Sequence, residues 1–292
     1  MRIRLAPAAA AMFALSAAAS AWAADSEHDP YSGAPLRPTK DHSTPSPIND
    51  RFYAEGIYYP AHVKTDLRID PHNAPATITG TNLRAESALG LESRVNYGLP
   101  ELMFRFGKRN KIRVNWLEVD RSANHQLKQT IDFGNEAFPV TSLLASQVDW
   151  RIFTVTYTYS IFHNDRFELG TGLGIHLLQA EARAQVLNTI VPQRQDVTGA
   201  GAFPTIPLDF VFRISRRWSV TAHGQYFHAS LNNFDGYLGQ MHEDVQYRWK
   251  NNFAVGVGYQ SERAKLALHT GNFPGLFAMS LEGPEAFFRV SF

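Results

Sequence analysis

Between Phe153 and Leu178 the chain alternates in two alphabets at once. Phe153, Val155, Tyr157, Tyr159 and Ile161 share one parity, and Thr154, Thr156, Thr158 and Ser160 share the other. Side chains of an extended strand leave opposite faces in turn, so this period of two predicts a β-strand. His163-Asn164-Asp165 then makes a polar turn. The return arm sets Phe167, Leu169, Thr171, Leu173, Ile175 and Leu177 against Glu168, Gly170, Gly172, Gly174 and His176. One face is bulky and aromatic, as suits lipid. The other is small, glycine-rich and sparsely charged, as suits the crowded inside of a narrow closed barrel.

The amino terminus predicts export. Arg2 and Arg4 precede an apolar run from Leu5 to Ala19, and Ala21-Trp22-Ala23 fits the small-x-small cleavage rule. Residues 1–23 therefore read as a signal peptide, too short in its apolar run for the about 18–20 residues of a membrane-spanning helix. Removing it lowers 28 Lys+Arg to 26 against 27 Asp+Glu, a mature charge near −1 that gives no reason to expect nucleic acid. The chain has no cysteine, so no disulfide framework is available. Residues 24–49 are polar, aperiodic and punctuated by Pro30, Pro35, Pro38, Pro45 and Pro47, and read as an extended periplasmic lead. Residues 50–292 carry the barrel.

Within that region, Val63, Thr65, Leu67 and Ile69 alternate with His62, Lys64, Asp66 and Arg68, and Tyr58-Tyr59-Pro60 reads as an interfacial aromatic pair beside a bend. Thr81 to Leu91 is either a further strand or a segment pairing with the first strand outside the membrane. Leu102, Phe104 and Phe106 oppose Met103 and Arg105. Later strands follow around Ile206–Ile214, Trp218–Tyr226, Met241–Trp249, Phe253–Tyr259 and Phe288–Phe292, with polar loops expected at Leu187–Ala202 and Asn232–Gly236. Four turns are tight, near Lys108, Asn164, Arg216 and Asn251, while the other connections are longer. Outer-membrane barrels pair short periplasmic turns with long outer loops and use even strand numbers. The expectation is an all-β, closed antiparallel transmembrane β-barrel of about ten strands, with eight or twelve as alternatives.

A signal peptide, alternating strands with aromatic ends and a last strand closing on Phe292 resemble the small outer-membrane barrels of Gram-negative bacteria, of the OmpA, OmpX and OmpW kind. The resemblance covers Asp50 to Phe292 at the level of architecture. It implies an outer-membrane location, contact with outer-membrane lipid and lipopolysaccharide, and a monomer. It also implies recognition of the last strand by the barrel-assembly machinery, through Phe288, Val290 and Phe292. No cofactor is expected.

Strand parity sends Arg105, Arg113, Glu168, Asp209, Arg213, His223, Asp244 and Arg248 into the lumen, with Arg289 beside them. Unpaired buried charges are costly, so carboxylate–arginine pairs across the lumen are expected. Trp116, Trp218, Trp249, Tyr157, Tyr159, Tyr226, Tyr247 and Tyr259 fall near strand ends and predict interfacial belts. A barrel this narrow with charges inside is plugged or, alternatively, a small-solute pore.

No phosphate-cradling loop, HExxH helix or cysteine site is present. His242-Glu243-Asp244 does not make a metal cluster on a strand, because Glu243 points away from its neighbours. His62, His72, His125 and His269 are too scattered to form one. Asp and His residues at a barrel rim are a feature shared with the omptin proteases, but no spacing here supports a matched catalytic pair. His228 and Ser230 share one outward face, and Glu243 shares it on the next strand. A serine, a histidine base and an orienting carboxylate follow triad logic. His-x-Ser on the outside of a barrel with a later Glu resembles the lipid A deacylases of the PagL kind, which implies an acyl esterase using Ser230, His228 and Glu243. Under that resemblance Asn232 and Asn233 are partial support. An odd register placing Glu243 opposite Tyr226 would bring it diagonal to His228.

Overall fold

Alternation carries ten strands into one closed sheet. The structure, a computed structural model, describes residues 46–71, 79–187, 194–231, 234–268 and 275–292. The barrel strands are β1 (Phe52–Ile69), β3 (Arg94–Phe106), β4 (Asn110–Gln126), β7 (Leu143–His163), β8 (Phe167–Val186), β9 (Arg194–Arg213), β10 (Trp218–Leu231), β11 (Phe234–Arg248), β12 (Phe253–Leu268) and β13 (Gly275–Ser291). Each pairs antiparallel with the next, and β13 returns to β1 with Tyr53 opposite Ser291 and Ile69 opposite Gly275. Closure leaves no unpaired edge, which lipid could not hydrate. Phe292 completes the seam. Its N–H donates to the Phe52 carbonyl at 2.8 Å, and its own carbonyl accepts from Arg51 and Phe52 at 2.9 and 3.0 Å.

The strands are longer than a bilayer needs. A tilted membrane strand takes about 9–11 residues, whereas β7, β8 and β9 have 21, 20 and 20. On β7 the outward apolar run from Phe153 to Ile161 covers roughly 23 Å of height at a usual tilt, close to the apolar band of such barrels. The rest projects beyond the band on the long-loop side.

Along the same strands the two faces exchange character. In the lower part Thr154, Thr156, Thr158 and Ser160 are buried inward, while Tyr157, Tyr159 and Ile161 are exposed outward. In the upper part of β7 the inward residues are Leu144, Val148, Trp150 and Ile152, all buried. On β1 the inward residues are Val63, Thr65, Leu67 and Ile69, and the outward ones are His62, Lys64, Asp66 and Arg68. The barrel therefore holds a polar filling at membrane depth and an apolar core above it, with Trp150 stacked on Phe277 at 4.7 Å.

The upper mouth is capped from within. β3 reaches only to Arg94, opposite His62, and above that point β2 (Leu83–Arg84) takes its place beside Asp66 and Leu67 of β1. A one-turn helix α1 (Ala85–Ala88) follows. Leu83, Ala85, Leu89 and Leu91 join the buried core. Glu86 binds Arg121 at 2.7 Å and accepts from the Thr65 N–H at 3.1 Å, tying the cap to the wall. Strands β5 (Ile131–Phe133) and β6 (Glu136–Phe138) form a small separate hairpin whose Ile131, Phe133 and Phe138 join the same core.

Several expectations are corrected. Pro60 lies inside a continuous β1 rather than at a bend, and Tyr59 is buried in the lumen while Tyr58 is exposed. The segment expected as a polar loop at Leu187–Ala202 is strand β9 from Arg194 onward, and β11 begins at Phe234 inside the expected loop Asn232–Gly236. Those strand parts stand above the lipid, where no apolar outer face advertises them. Of Thr81–Leu91, Leu83 and Arg84 alone pair with the first strand, outside the band, and Ala85–Ala88 turn into a helix instead. The expected signal peptide and most of the expected lead, residues 1–45, lie outside the described residues.

Candidate functional site

The lumen at membrane depth is built by strand parity. Odd residues of β3, β4, β9 and β10 and even residues of β7, β8 and β11 point inward. Glycines on β8 leave room for what they face: a Cβ on Gly174 would meet Gln225 Oε1 at 2.6 Å.

Into that space converge three cations and three carboxylates. Arg105 grips Glu168 with two parallel bonds of 2.7 and 2.9 Å, and Ser160 also donates to Glu168. Lys111 lies between Glu168 at 3.5 Å and Asp209 at 3.3 Å. Arg113 reaches Asp209 at 3.0 Å and Glu101 at 3.2 Å. Thr158 donates to Asp209 at 3.0 Å, and Tyr53 donates to Glu101 at 2.6 Å. Formal charge cancels across this cluster, and paired arrangement is what makes ions tolerable away from water.

A second cluster lies against the β11–β13 and β1 walls. Arg289 pairs with Glu55, donates to Gln246 at 2.7 Å and stands 4.2 Å above the Tyr53 ring. His242 lies 2.6 Å from Glu285 and 3.4 Å from Asp244, and Thr221 donates to Asp244. His223 lies 3.2 Å from Asp209, with its ring 5.7 Å from that of His242. Higher up, His176 bridges Thr154 and Gln225, each at 3.1 Å. No group of three metal-binding side chains occurs among the described residues.

At the short-turn mouth the end of the lead turns inward. Ser46, Ile48 and Asp50 are buried, and Arg248 holds Asp50 with contacts of 3.0 and 2.5 Å. Arg105 donates from Nε to the Asp50 carbonyl at 3.2 Å and from a guanidinium nitrogen to the Pro47 carbonyl at 3.4 Å. These residues sit within the lower opening.

Of the residues expected in the lumen, Arg105, Arg113, Glu168, Asp209, Asp244, Arg248 and Arg289 are buried there and paired, and His223 lies among them, nearly buried. Arg213 is the correction. Its parity is inward, but it ends β9 at the short-turn rim, half-buried, and makes no ion pair with a described residue. Parity fixes a face and says nothing of height. Glu55, Glu101, Lys111 and Glu285 went unread, although extending the alternation of their strands by two to eight residues reaches each of them.

The expected aromatic belts all face outward, with Trp116, Trp218, Trp249, Tyr157, Tyr159, Tyr226 and Tyr259 exposed. Phe288, Val290 and Phe292 likewise face out along β13.

The outward set His228, Ser230 and Glu243 does not converge. The register places Glu243 opposite Ala222, not Tyr226, so it sits six residues along from His228, about 20 Å of strand. The carboxylate beside His228 is Asp235, at 3.6 Å, which also pairs with Lys265 at 3.0 Å and lies opposite Ser230. Sequence alone could not fix this, because the hairpin's loop length sets the register. His62 faces out on β1, His125 sits near the upper mouth against Gly90, and His72 and His269 lie outside the described residues.

A closed ten-stranded antiparallel barrel, apolar outside and polar inside at one depth, is the architecture of outer-membrane β-barrel proteins. The outer membrane protease OmpT from Escherichia coli matches with a TM-score of 0.53 and 11% identity, over 82% of this chain and 96% of that one. The toluene transporter TbuX of Ralstonia pickettii matches at a TM-score of 0.35 and 8% identity, over 86% of this chain and 93% of that one. No family model and no curated protein sequence matches this chain. The likeness is one of fold.

Proposed function

We propose that the protein resides in the bacterial outer membrane as a sealed barrel with a structural, envelope-associated role. The short turns face the periplasm and the extended upper barrel faces outward. The observation that carries this reading is the filling of the lumen at three levels. The lead residues Ser46–Asp50 and Arg248 occupy the lower mouth, the Arg105–Glu168–Lys111–Asp209–Arg113 cluster occupies the middle, and the core around Trp150, Phe277 and Leu67 occupies the top. A small-solute passage would need all three to part. Purified protein in planar bilayers should therefore give at most small, infrequent conductance steps, and steady porin-sized currents would overturn the reading.

A second reading keeps an acyl esterase on the outer wall. It is favoured only by the shared outward face of Ser230, His228 and Asp235, with Asp235 replacing the expected Glu243. Mass spectrometry of lipid A from a host carrying hexa-acylated lipid A decides it: one acyl chain should be lost with the wild type and retained with Ser230→Ala if this reading holds.

A further inference from the structure

The ladder that closes the barrel at membrane depth does not run its full height. β9 pairs with β10 only from Ile206, opposite Tyr226, down to Arg213, opposite Ser219. Above that level β9 continues to Arg194 on the β8 ladder, and β10 continues to Leu231 on the β11 ladder. Pro204, which has no N–H to extend a ladder, stands where the two strands part. A second parting lies between β3 and β4, whose pairing stops at Glu101 opposite Asn115. Tyr226 and Trp116 of the aromatic belt mark the two levels, so both partings begin where water can hydrate a strand edge.

The chain fills the second parting itself. There β2 pairs with β1 above the end of β3, Arg121 of β4 binds Glu86 and the Glu92 carbonyl, and the Ser93 carbonyl accepts from the Val63 N–H. At the first parting, no strand among the described residues pairs with β9 above Ile206 on its β10 side. The edge from Arg194 to Ala202 runs about 30 Å. Its inward residues Gln195, Val197, Gly199 and Gly201 are only half-buried, whereas Ala182, Ala184 and Val186 beside them on β8 are buried. A Cβ on Gly199 would meet nothing within 4 Å. Val197 and Phe227 pack against the apolar core, and Phe203 meets Phe227 edge-on at 5.9 Å at the foot of the gap. Strand edges are ordinarily guarded by charges, prolines or bulges. This one has Arg194 and Asp196 at its top and Pro204 at its foot, with neither a charge nor a proline from Val197 to Phe203.

We propose that this edge of β9 binds an extended, uncharged segment of a partner protein as an added β-strand, with bulky apolar side chains on alternate residues turned into the gap beside Gly199. The backbone N–H and C=O groups of an edge supply affinity, and alternate side chains supply selectivity. A bulky residue opposite a glycine covers what the glycine leaves bare. β2 beside β1 is the same device, supplied from within the chain.

The test uses the full mature chain in detergent micelles, titrated against a fluorescein-labelled peptide in which threonine alternates with valine around one central phenylalanine. Binding is read by fluorescence anisotropy. A control peptide keeps every side chain but is N-methylated at every residue, which removes its backbone donors. The wild type should bind the first peptide at least about tenfold more tightly than the second. The variant Thr198→Lys, Ala200→Lys places charges at two exposed positions of the edge, as guarded edges have them, and should weaken binding by about tenfold or more. Equal binding of the two peptides, or no binding of the first, overturns the proposal. So does a lysine variant that binds as the wild type does, since the pairing edge would then lie elsewhere. If the lysine variant fails to assemble, the comparison of the two peptides on the wild type decides. A wild type that sediments as a dimer, and is split by the two lysines, would assign the edge to a second copy and overturn the partner assignment.

Discussion

Arg248 and Asp50 are 198 residues apart and meet in a two-contact ion pair across the lower mouth of the barrel. Asp50 stands just before the first strand, and Arg248 ends β11 on the far wall, so the pair fastens the entering chain to the sheet. Both are buried, and removing one partner strands the other's charge. Asp50→Ala should destabilise the barrel by about 3–5 kcal/mol, with Asp50→Ala/Arg248→Met recovering part of it. Denaturant unfolding in detergent micelles measures both.

The top of the barrel should be as sensitive, for another reason. Trp150 is fully enclosed and stacks on Phe277 from the opposite wall. Trp150→Ala leaves a cavity that flanking strands cannot collapse into without breaking their ladders, at a cost of about 3–5 kcal/mol. The same unfolding assay should show the loss, while Trp218→Ala, exposed at the belt, should show far less.

A third expectation concerns space in the lumen. Gly174→Val would drive side-chain carbon into Gln225, which already accepts from Thr205 at 2.8 Å and contacts His176. The expected outcome is reduced assembled yield, read as loss of the heat-modifiable band on gels. Normal yield would mean the polar filling is looser than its geometry.

Deleting Phe292 should impair assembly far more than deleting residues 25–42 of the lead. Its backbone closes the β1–β13 seam, and its ring lies 6.3 Å from that of Phe52. Outer-membrane fractionation compares the two; equal yields would refute this use of the terminus.

On the outer wall above the lipid band, Asp120 lies opposite Asp149. Partial burial, then the neighbouring Asp149 and Glu118 carboxylates, raise its pKa. The folded chain then binds that proton more tightly than the unfolded chain. The associated stability is fully present below the unfolded pKa and declines as pH rises through the folded value. Asp120→Asn should flatten that decline, which unfolding midpoints between pH 3 and 7 (roughly the carboxylate range) would show.

Much of this was legible in the residues, and the failures have causes. The hairpin from Phe153 to Leu178 announces both its strands and its lipid face, because lipid and lumen demand opposite chemistry on alternate residues. Above the band Val63, Leu67 and Ile69 keep the same period while the apolar face moves inside, and periodicity is blind to that exchange. Glu243 was misplaced because register belongs to the pairing, not to the strand. Partners such as Arg289 and Glu55 were half visible: each parity could be read, but closure alone brings the first strand against the last.

The exchange of faces along each strand also makes the barrel a depth gauge. Sunk by two or three residues, it would press Lys64, Arg263 and Lys265 into hydrocarbon. Raised by as much, it would lift Trp116 and Tyr259 into water and draw the turn arginines into the bilayer. Neither shift is resisted by one strong contact. Ten strands change character at a common level, and a membrane of the right thickness can meet them at only one height.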